Sequence, residues 1–201
     1  MSVTCHISVS LDGYAAGANQ SRANPLGERG EQLHEWYFAA DGPHPVDAGM
    51  AQRILGGNGA YIMGRGMFGG RDADGTWDPA WRGWWGEVPP YRAPVFVLTH
   101  HARRPLEMAD TTFHFVTGGI DEALDRALAA AGDRNVSIGG GPGTIQQFLA
   151  AGLLDELNLH LVPVLLRGGV RLFEDVGEAA LEQAEVVASP AVTHIRYRVR
   201  R

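Results

Sequence analysis

Residues 135–168 read NVSIGGGPGTIQQFLAAGLLDELNLHLVPVLLRG, and the order of elements within them decides the fold. Val136 to Ile138 predicts a short buried strand. Gly139, Gly140, Gly141, Pro142 and Gly143 follow, then a helix in which Ile145, Phe148 and Leu149 share a face at i, i+3 and i+4. Pro142 suits the first helical turn, where its missing N–H has no partner to lose, and Gly152 suits a left-handed stop. Leu157 to Val164 then predicts a second, longer strand. A strand, a glycine turn and a helix N-terminus gather backbone N–H groups around one point, with the positive end of the helix dipole behind them. That is a way to hold phosphate without a lysine. A tight turn with no ligand is the competing reading. The pattern also departs from the dinucleotide fingerprint: Gly139 and Gly141 fit G-x-G, but Thr144 stands where a third glycine or alanine belongs.

Outward from this stretch, the 201 residues predict a single domain, 1–201, with a substantial core. A formal charge of −6 argues against a general nucleic-acid binder. No apolar run is long enough for a membrane span, and MSVTCHISVSLDG lacks the basic flank and apolar segment of a secretory signal. The single cysteine, Cys5, excludes an intramolecular disulfide. The expectation is a cytoplasmic protein with no membrane or nucleic-acid partner.

Val3 to Ser10 alternates apolar and polar residues and predicts a half-buried strand, which runs into Leu11-Asp12-Gly13-Tyr14. An acidic residue and a glycine just past a strand end make a turn, and also stand where open α/β sheets contact ligands. The stretch from Gly27 to Ala40 has a helical period, with Leu33, Trp36 and Tyr37 on one face, and Asp47 to Leu55 predicts a second helix. Ala60 to Met63 predicts a strand ending at Gly64-Arg65, where a guanidinium can reach an anion; a solvated helix start is the alternative. Residues 69–93 hold four of the five tryptophans, among them Trp77, Trp81, Trp84 and Trp85. Their reading is divided between a lid and apolar packing onto the domain or a second subunit, with packing favoured.

Ala93 to Leu98 predicts a strand buried on both faces, followed by Thr99-His100-His101-Ala102-Arg103-Arg104. Adjacent histidines point apart and no cysteine or carboxylate lies at ligand spacing, so no metal is expected. A hydroxyl, imidazoles and arginines after a strand end better suit an adenosine phosphate. Phe113 to Val116 predicts a strand and Ile120 to Ala131 a helix. Residues 184–188 and 192–199 predict a terminal antiparallel hairpin. Strands alternating with helices give an α/β sheet, mostly parallel. Its parallel strands gather Asp12-Gly13, Arg65, Thr99-His100 and Gly139–Thr144 along one edge as a crevice.

SVSLDGYAAG, YIMGR, PVFVLTHHARRP and IGGGPGTIQQFLAAGLLDELNLHLVPVLLRGG resemble, in that order, the dihydrofolate-reductase-like family. Within it the likeness is greatest to the reductase domain at the C-terminus of the bacterial riboflavin-biosynthesis deaminase-reductase. The resemblance implies a three-layer α/β fold with a mostly parallel sheet of about eight strands, an antiparallel C-terminal hairpin and helices on both faces. It implies NADPH as hydride donor, a small-molecule substrate and a homodimer. Gly64 and Arg65 match the Gly-Arg that contacts the adenosine phosphate, and Thr99 and His100 the loop beside it. Gly139, Gly140, Gly141, Gly143 and Thr144 match the pyrophosphate turn. Asp12 matches the acidic residue near nicotinamide and substrate, where it would position the substrate or relay a proton.

The implied activity is that of a stand-alone NADPH-dependent reductase acting on a small heterocyclic or carbonyl/imine substrate. It would be related to the phosphoribosylaminouracil reductase of riboflavin biosynthesis and to dihydrofolate reductase. Glu28, Glu31 and Glu35 fall where a pterin-binding carboxylate would stand, none in a matching motif. No deaminase zinc motif is present. A nucleotide-binding or regulatory protein without turnover is the alternative, and a flavin or deazaflavin carrier a further one.

Overall fold

The alternating start of the chain folds as β1, Val3–Ser10, the strand around which the sheet assembles. The computed structural model describes residues 1–39, 41–70 and 78–200. After β1 come β2 (Tyr14–Ala16), a 3-10 turn (Gly30–Leu33), α1 (Pro45–Leu55), β3 (Asn58–Gly64) and α2 (Arg65–Phe68). β4 (Val95–Leu98), β5 (Leu106–Met108), β6 (Thr111–Val116) and α3 (Gly119–Ala131) follow. The last third holds β7 (Asn135–Gly140), α4 (Pro142–Ala150), β8 (Glu156–Val162), β9 (Val170–Arg171), β10 (Ala180–Ala188) and β11 (Thr193–Arg200).

Nine strands form the main sheet, in the order β10-β11-β8-β1-β7-β3-β4-β6-β5. The six strands from β8 to β6 are mutually parallel. Antiparallel strands close both edges: the β10–β11 hairpin, and β5 against β6. This is the mostly parallel sheet of about eight strands expected, with nine among the described residues and an antiparallel C-terminal hairpin. β5 and the small β2–β9 pair add to the sequence reading. Three residues are too few to show a periodicity of their own.

One sheet face carries α3 and α4 over a core that includes Cys5, Ile62, Ile138, Phe148 and Leu157, all fully buried. The other face carries α2 and the 78–93 segment over Tyr61, Met63, Val97 and Phe113. Beside them the 3-10 turn and α1 enclose Leu33, Trp36, Met50, Val162 and Leu166. The helix expected over Gly27 to Ala40 is not formed. Arg29 takes a left-handed φ of 60°, and the chain winds through a single 3-10 turn and successive tight turns. Gly27 is also pressed against the Gly17 backbone, which fixes it outside a helix (Ala40 lies outside the described residues). Leu33 and Trp36 are nonetheless buried, as their spacing implied.

The described tryptophans of 69–93 pack onto the domain itself. The Trp81 and Trp84 indoles donate to the Phe68 and Met67 carbonyls at 2.8 and 3.0 Å and lie over Gly70 and Gly69. Trp85 stacks on Phe113, with 5.5 Å between ring centroids. Trp77 lies outside the described residues. Among the described residues, no helix is long and apolar enough to cross a membrane.

Candidate functional site

The sheet order fixes the site. Gly64 is opposite Leu98, and Met63 is opposite Gly140, so Arg65, Thr99 and Gly141 leave three adjacent strands at one edge. β1 lies on the other side of β7 and ends at the same edge with Leu11, Asp12 and Gly13. The residues singled out in the sequence therefore stand along one edge of the sheet, in the spatial order Thr99, Arg65, Gly141, Asp12.

The glycine turn is built by close approach. β7 runs through Gly139 to Gly140, two residues beyond the predicted strand. The Gly140–Gly141 peptide is cis, and Gly140 has φ +110°, a conformation that side chains rarely adopt. Gly141 is the extended N-cap residue of α4 with φ −70°, Pro142 opens the helix, and Thr144 is buried behind them. A Cβ on Gly64 would stand 2.5 Å from Thr144 Oγ1, so β3 reaches the turn only because residue 64 is glycine. Gly139 backs onto Met67. A Cβ on Gly141 would meet nothing within 4 Å, and one on Gly143 would meet only Gln146 Oε1 at 3.9 Å. A side chain at Gly64 would thus meet the protein, whereas one at Gly141 or Gly143 would not; in the first turn of α4 Pro142 has no N–H, and Thr144 N and Ile145 N donate to Gly141 O at 3.0 and 3.3 Å.

Arg65 is half-buried at the start of α2, its guanidinium 5.2 Å from the Phe68 ring centroid. Arg103 leans on the same ring at 5.9 Å and on Phe115 at 4.9 Å, and donates to the Trp81 carbonyl at 2.8 Å. Burial, reinforced by the Arg103 charge, lowers the Arg65 pKa to about 10, so it is cationic at neutral pH. Thr99 is buried, and its Oγ1 accepts from the His101 backbone N–H at 3.1 Å, which shapes the loop and leaves His100 exposed.

Asp12, expected near nicotinamide and substrate, is engaged by three protein donors. Its Oδ1 accepts from Ser10 Oγ at 2.6 Å and from Leu166 N at 3.1 Å; Oδ2 accepts from Arg167 N at 2.8 Å. Partial desolvation pushes the carboxyl pKa up. The hydrogen bonds from Ser10, Arg167 and Leu166 outweigh it and hold the group below the usual carboxylate range. The carboxylate clasps the loop after β8 to the end of β1. Beside it Arg171 donates to the Asp12 carbonyl and to the Tyr14 hydroxyl at 3.2 and 3.1 Å and covers the Tyr14 ring. Sequence reasoning passed over Arg171, because only the pairing of β2 with β9 carries it to Gly13. Among the described residues there is no cluster able to hold a metal ion.

A parallel sheet whose strand ends carry a glycine turn, an arginine and a hydroxyl at one edge is an α/β domain, and its family is that of a reductase-type oxidoreductase. The chain belongs to the RibD C-terminal domain family, which matches residues 1–195. It is similar to a riboflavin biosynthesis protein from Shewanella sp. PV-4, at 27% identity and a TM-score of 0.68, with 100% of both chains covered. Dihydrofolate reductase from Enterococcus faecalis, solved with NADP(H), shares the fold at 15% identity and a TM-score of 0.60, over 98% of this chain and 96% of that one. Acinetobacter baumannii RibD shares it at 16% identity and a TM-score of 0.59; all of this chain is covered but 58% of that one. No curated protein matches the chain.

Proposed function

We propose that this chain is an NADPH-dependent reductase that reduces a small heterocyclic or carbonyl/imine compound in the crevice between β1 and β7. The observation that carries the reading is the open glycine turn. Gly64 and Thr144 back it, and nothing within 4 Å occupies the space in front of Gly141. The residues fit the cofactor along its length. Arg65, with Thr99 and His100 beside it, suits the adenosine phosphate. The Gly139–Thr144 backbone and the α4 N-terminus suit the pyrophosphate. The Asp12-Gly13 end of β1 suits the nicotinamide and substrate. NADPH supplies the hydride when bound; the chain orients the partners and excludes water. Asp12 fixes the β1 and β8 loops that frame the reacting ring, a positioning role.

Steady oxidation of NADPH by purified protein, followed by absorbance across a panel of pterins, aminopyrimidines, ketones and imines, tests the reading. Binding without turnover across the panel would favour a nucleotide-binding protein instead. The commitment of the Asp12 carboxylate to three protein donors motivates that second reading. A homodimer is proposed with it. Its surface would be the edge strand β10, where Leu181 and Val186 are exposed, and a monomer in light scattering at micromolar concentration would remove it.

A further inference from the structure

A buried polar chain runs across the sheet from β1 to α1, away from the crevice. His6 Nδ1 lies 3.3 Å from His160 Nε2, and His160 Nδ1 lies 2.8 Å from His194 Nδ1. His194 Nε2 lies 2.9 Å from Asp47 Oδ1, whose Oδ2 accepts from Ser189 Oγ at 3.0 Å. His160, His194 and Asp47 are 2%, 3% and 1% exposed. The imidazoles come from three neighbouring strands, β1, β8 and β11, and the carboxylate from the first turn of α1. Trp36 packs on the His160 and His194 rings at 4.9 and 5.0 Å.

Hydrogen-bond logic fixes the protons. An ionised Asp47 only accepts, so His194 Nε2 carries a hydrogen. With all rings neutral, His194 Nδ1 must then accept from His160 Nδ1–H, and His160 Nε2 from His6 Nδ1–H. Every bond points towards Asp47, and His6 Nε2 is left as a base. One proton can be added with every bond kept. It enters at His6 Nε2, the two bonds between imidazoles reverse while His194 Nε2–H goes on donating to Asp47, and the charge comes to rest on His194 as an imidazolium against the carboxylate. In that state His160 carries its hydrogen on Nε2 instead of Nδ1. A second proton on the rings has no such place, because it sets two N–H groups against each other within the chain.

We propose that His6, His160, His194 and Asp47 form a single-proton latch, which stores one proton by reversing its direction and releases α1 and Trp36 from the sheet when a second arrives. The charged groups around it are His34 behind the 3-10 turn, Arg53 of α1, Glu185 of β10 and Arg196 of β11. Glu185 pairs with both Arg53 and Arg196, at 3.6 and 3.2 Å. These three line, with Asn158, a cavity of about 10 Å³ against His160 and His194, room for about one water. Desolvation and the mutual repulsion of the rings push His160 well below its usual value, which opposes a second charge. The latch reaches the crevice through packing. Trp36 shares its small core with Leu166, whose N–H is one of the donors clasping Asp12.

The test is imidazole 15N NMR on the full chain from about pH 8 to about pH 4. Trp36 emission is followed alongside, as the difference from Trp36→Phe. The expected result is a switch of His160 from Nδ1–H to Nε2–H at constant Trp36 emission, then a red shift of Trp36 at lower pH. A His160 that keeps Nδ1–H while the chain takes up its first proton would overturn the proposal, as would a Trp36 shift at that first step. Asp47→Asn keeps an acceptor and removes the charge, so the reversal should fall by about one pH unit or vanish; reversal at an unchanged pH would also overturn it. The measurement on the unaltered chain decides the matter if the variant does not fold.

Discussion

Gly64 and Thr144, eighty residues apart in sequence, form one wall of the crevice: the threonine Oγ1 occupies the space that a side chain at residue 64 would need. Gly64→Ala forces a β-branched, buried side chain to move, at a cost of about 1–3 kcal/mol. Thr144→Ala removes the obstructing atom, so the double variant should recover part of the stability lost by Gly64→Ala. Denaturant midpoints of the four proteins measure the coupling, and strictly additive losses would show that the two residues do not meet.

Gly140 and Gly141 should respond in opposite ways. Gly140→Ala places a side chain at φ +110° and should lower stability by roughly 1–3 kcal/mol whether or not cofactor is present. Gly141→Val meets open space at φ −70°, so its melting temperature without ligand should stay near that of the unaltered protein. Its branched side chain would fill the proposed phosphate position, and the thermal protection expected from NADPH in the unaltered protein should be lost. Undiminished protection in Gly141→Val would sink the cradle.

Arg65→Ala should weaken NADPH far more than NADH, if the guanidinium reads the extra phosphate. A lost charge-assisted contact of roughly 1.5–3 kcal/mol corresponds to about ten- to a hundredfold in Kd. Titrations of both cofactors by fluorescence give the ratio directly, and an equal loss for both would remove Arg65 from that role.

Acid should destabilise the fold through its buried histidines. Burial lowers His6 to about 4, helped by repulsion from Arg53 and His194, and burial also lowers His34 and His160. The unfolded chain, with ordinary values near 6.5, therefore binds more protons than the folded one below about pH 6.5. Stability should be complete above that point and fall as pH drops from about 6.5 towards about 4. Urea melts across this range provide the slope. A flat profile would mean that the rings are not buried as neutral groups.

Asp12→Ala should loosen the loop after β8 by leaving the Leu166 and Arg167 N–H groups without their acceptor. Faster amide exchange at Leu166 and Arg167 is expected, with a lower melting temperature. If Asp12 acted on substrate alone, exchange there would be unchanged while turnover fell.

Local patterns made much of the architecture legible. Val3–Ser10 alternates along its whole length and forms a strand with those bounds, and the glycine turn stands between the strand and helix expected. Gly64, Arg65, Thr99 and Gly141 converge because parallel strands share an edge, a rule of topology that needs no contact map. The stretch after Gly27 misled because its apolar spacing records which residues are buried. Arg29 in a left-handed conformation and the contact of Gly27 with Gly17 determine how the chain gets there. The histidine chain was invisible for another reason. His6, His160 and His194 are single imidazoles in three strands, and only the register Ser8↔His160 and His194↔His160 brings them together. Asp12 was located correctly at the edge, but its partners Leu166 and Arg167 come from a loop whose path no local pattern encodes.

The place of β1 between β7 and β8 bears on how the chain is made. β1 leaves the ribosome more than a hundred residues ahead of both its sheet neighbours, which lie in residues 135–162. Until those are synthesised it offers two bare edges of an unpaired strand, the kind of surface on which nascent chains stick to one another. Contacts of such long separation close slowly. The crevice, which needs the ends of β1, β3, β4 and β7 together, is therefore completed late. A ligand held at that edge would meet only the finished sheet and could not guide its early assembly, so chaperone dependence should be strongest for chains halted before β7.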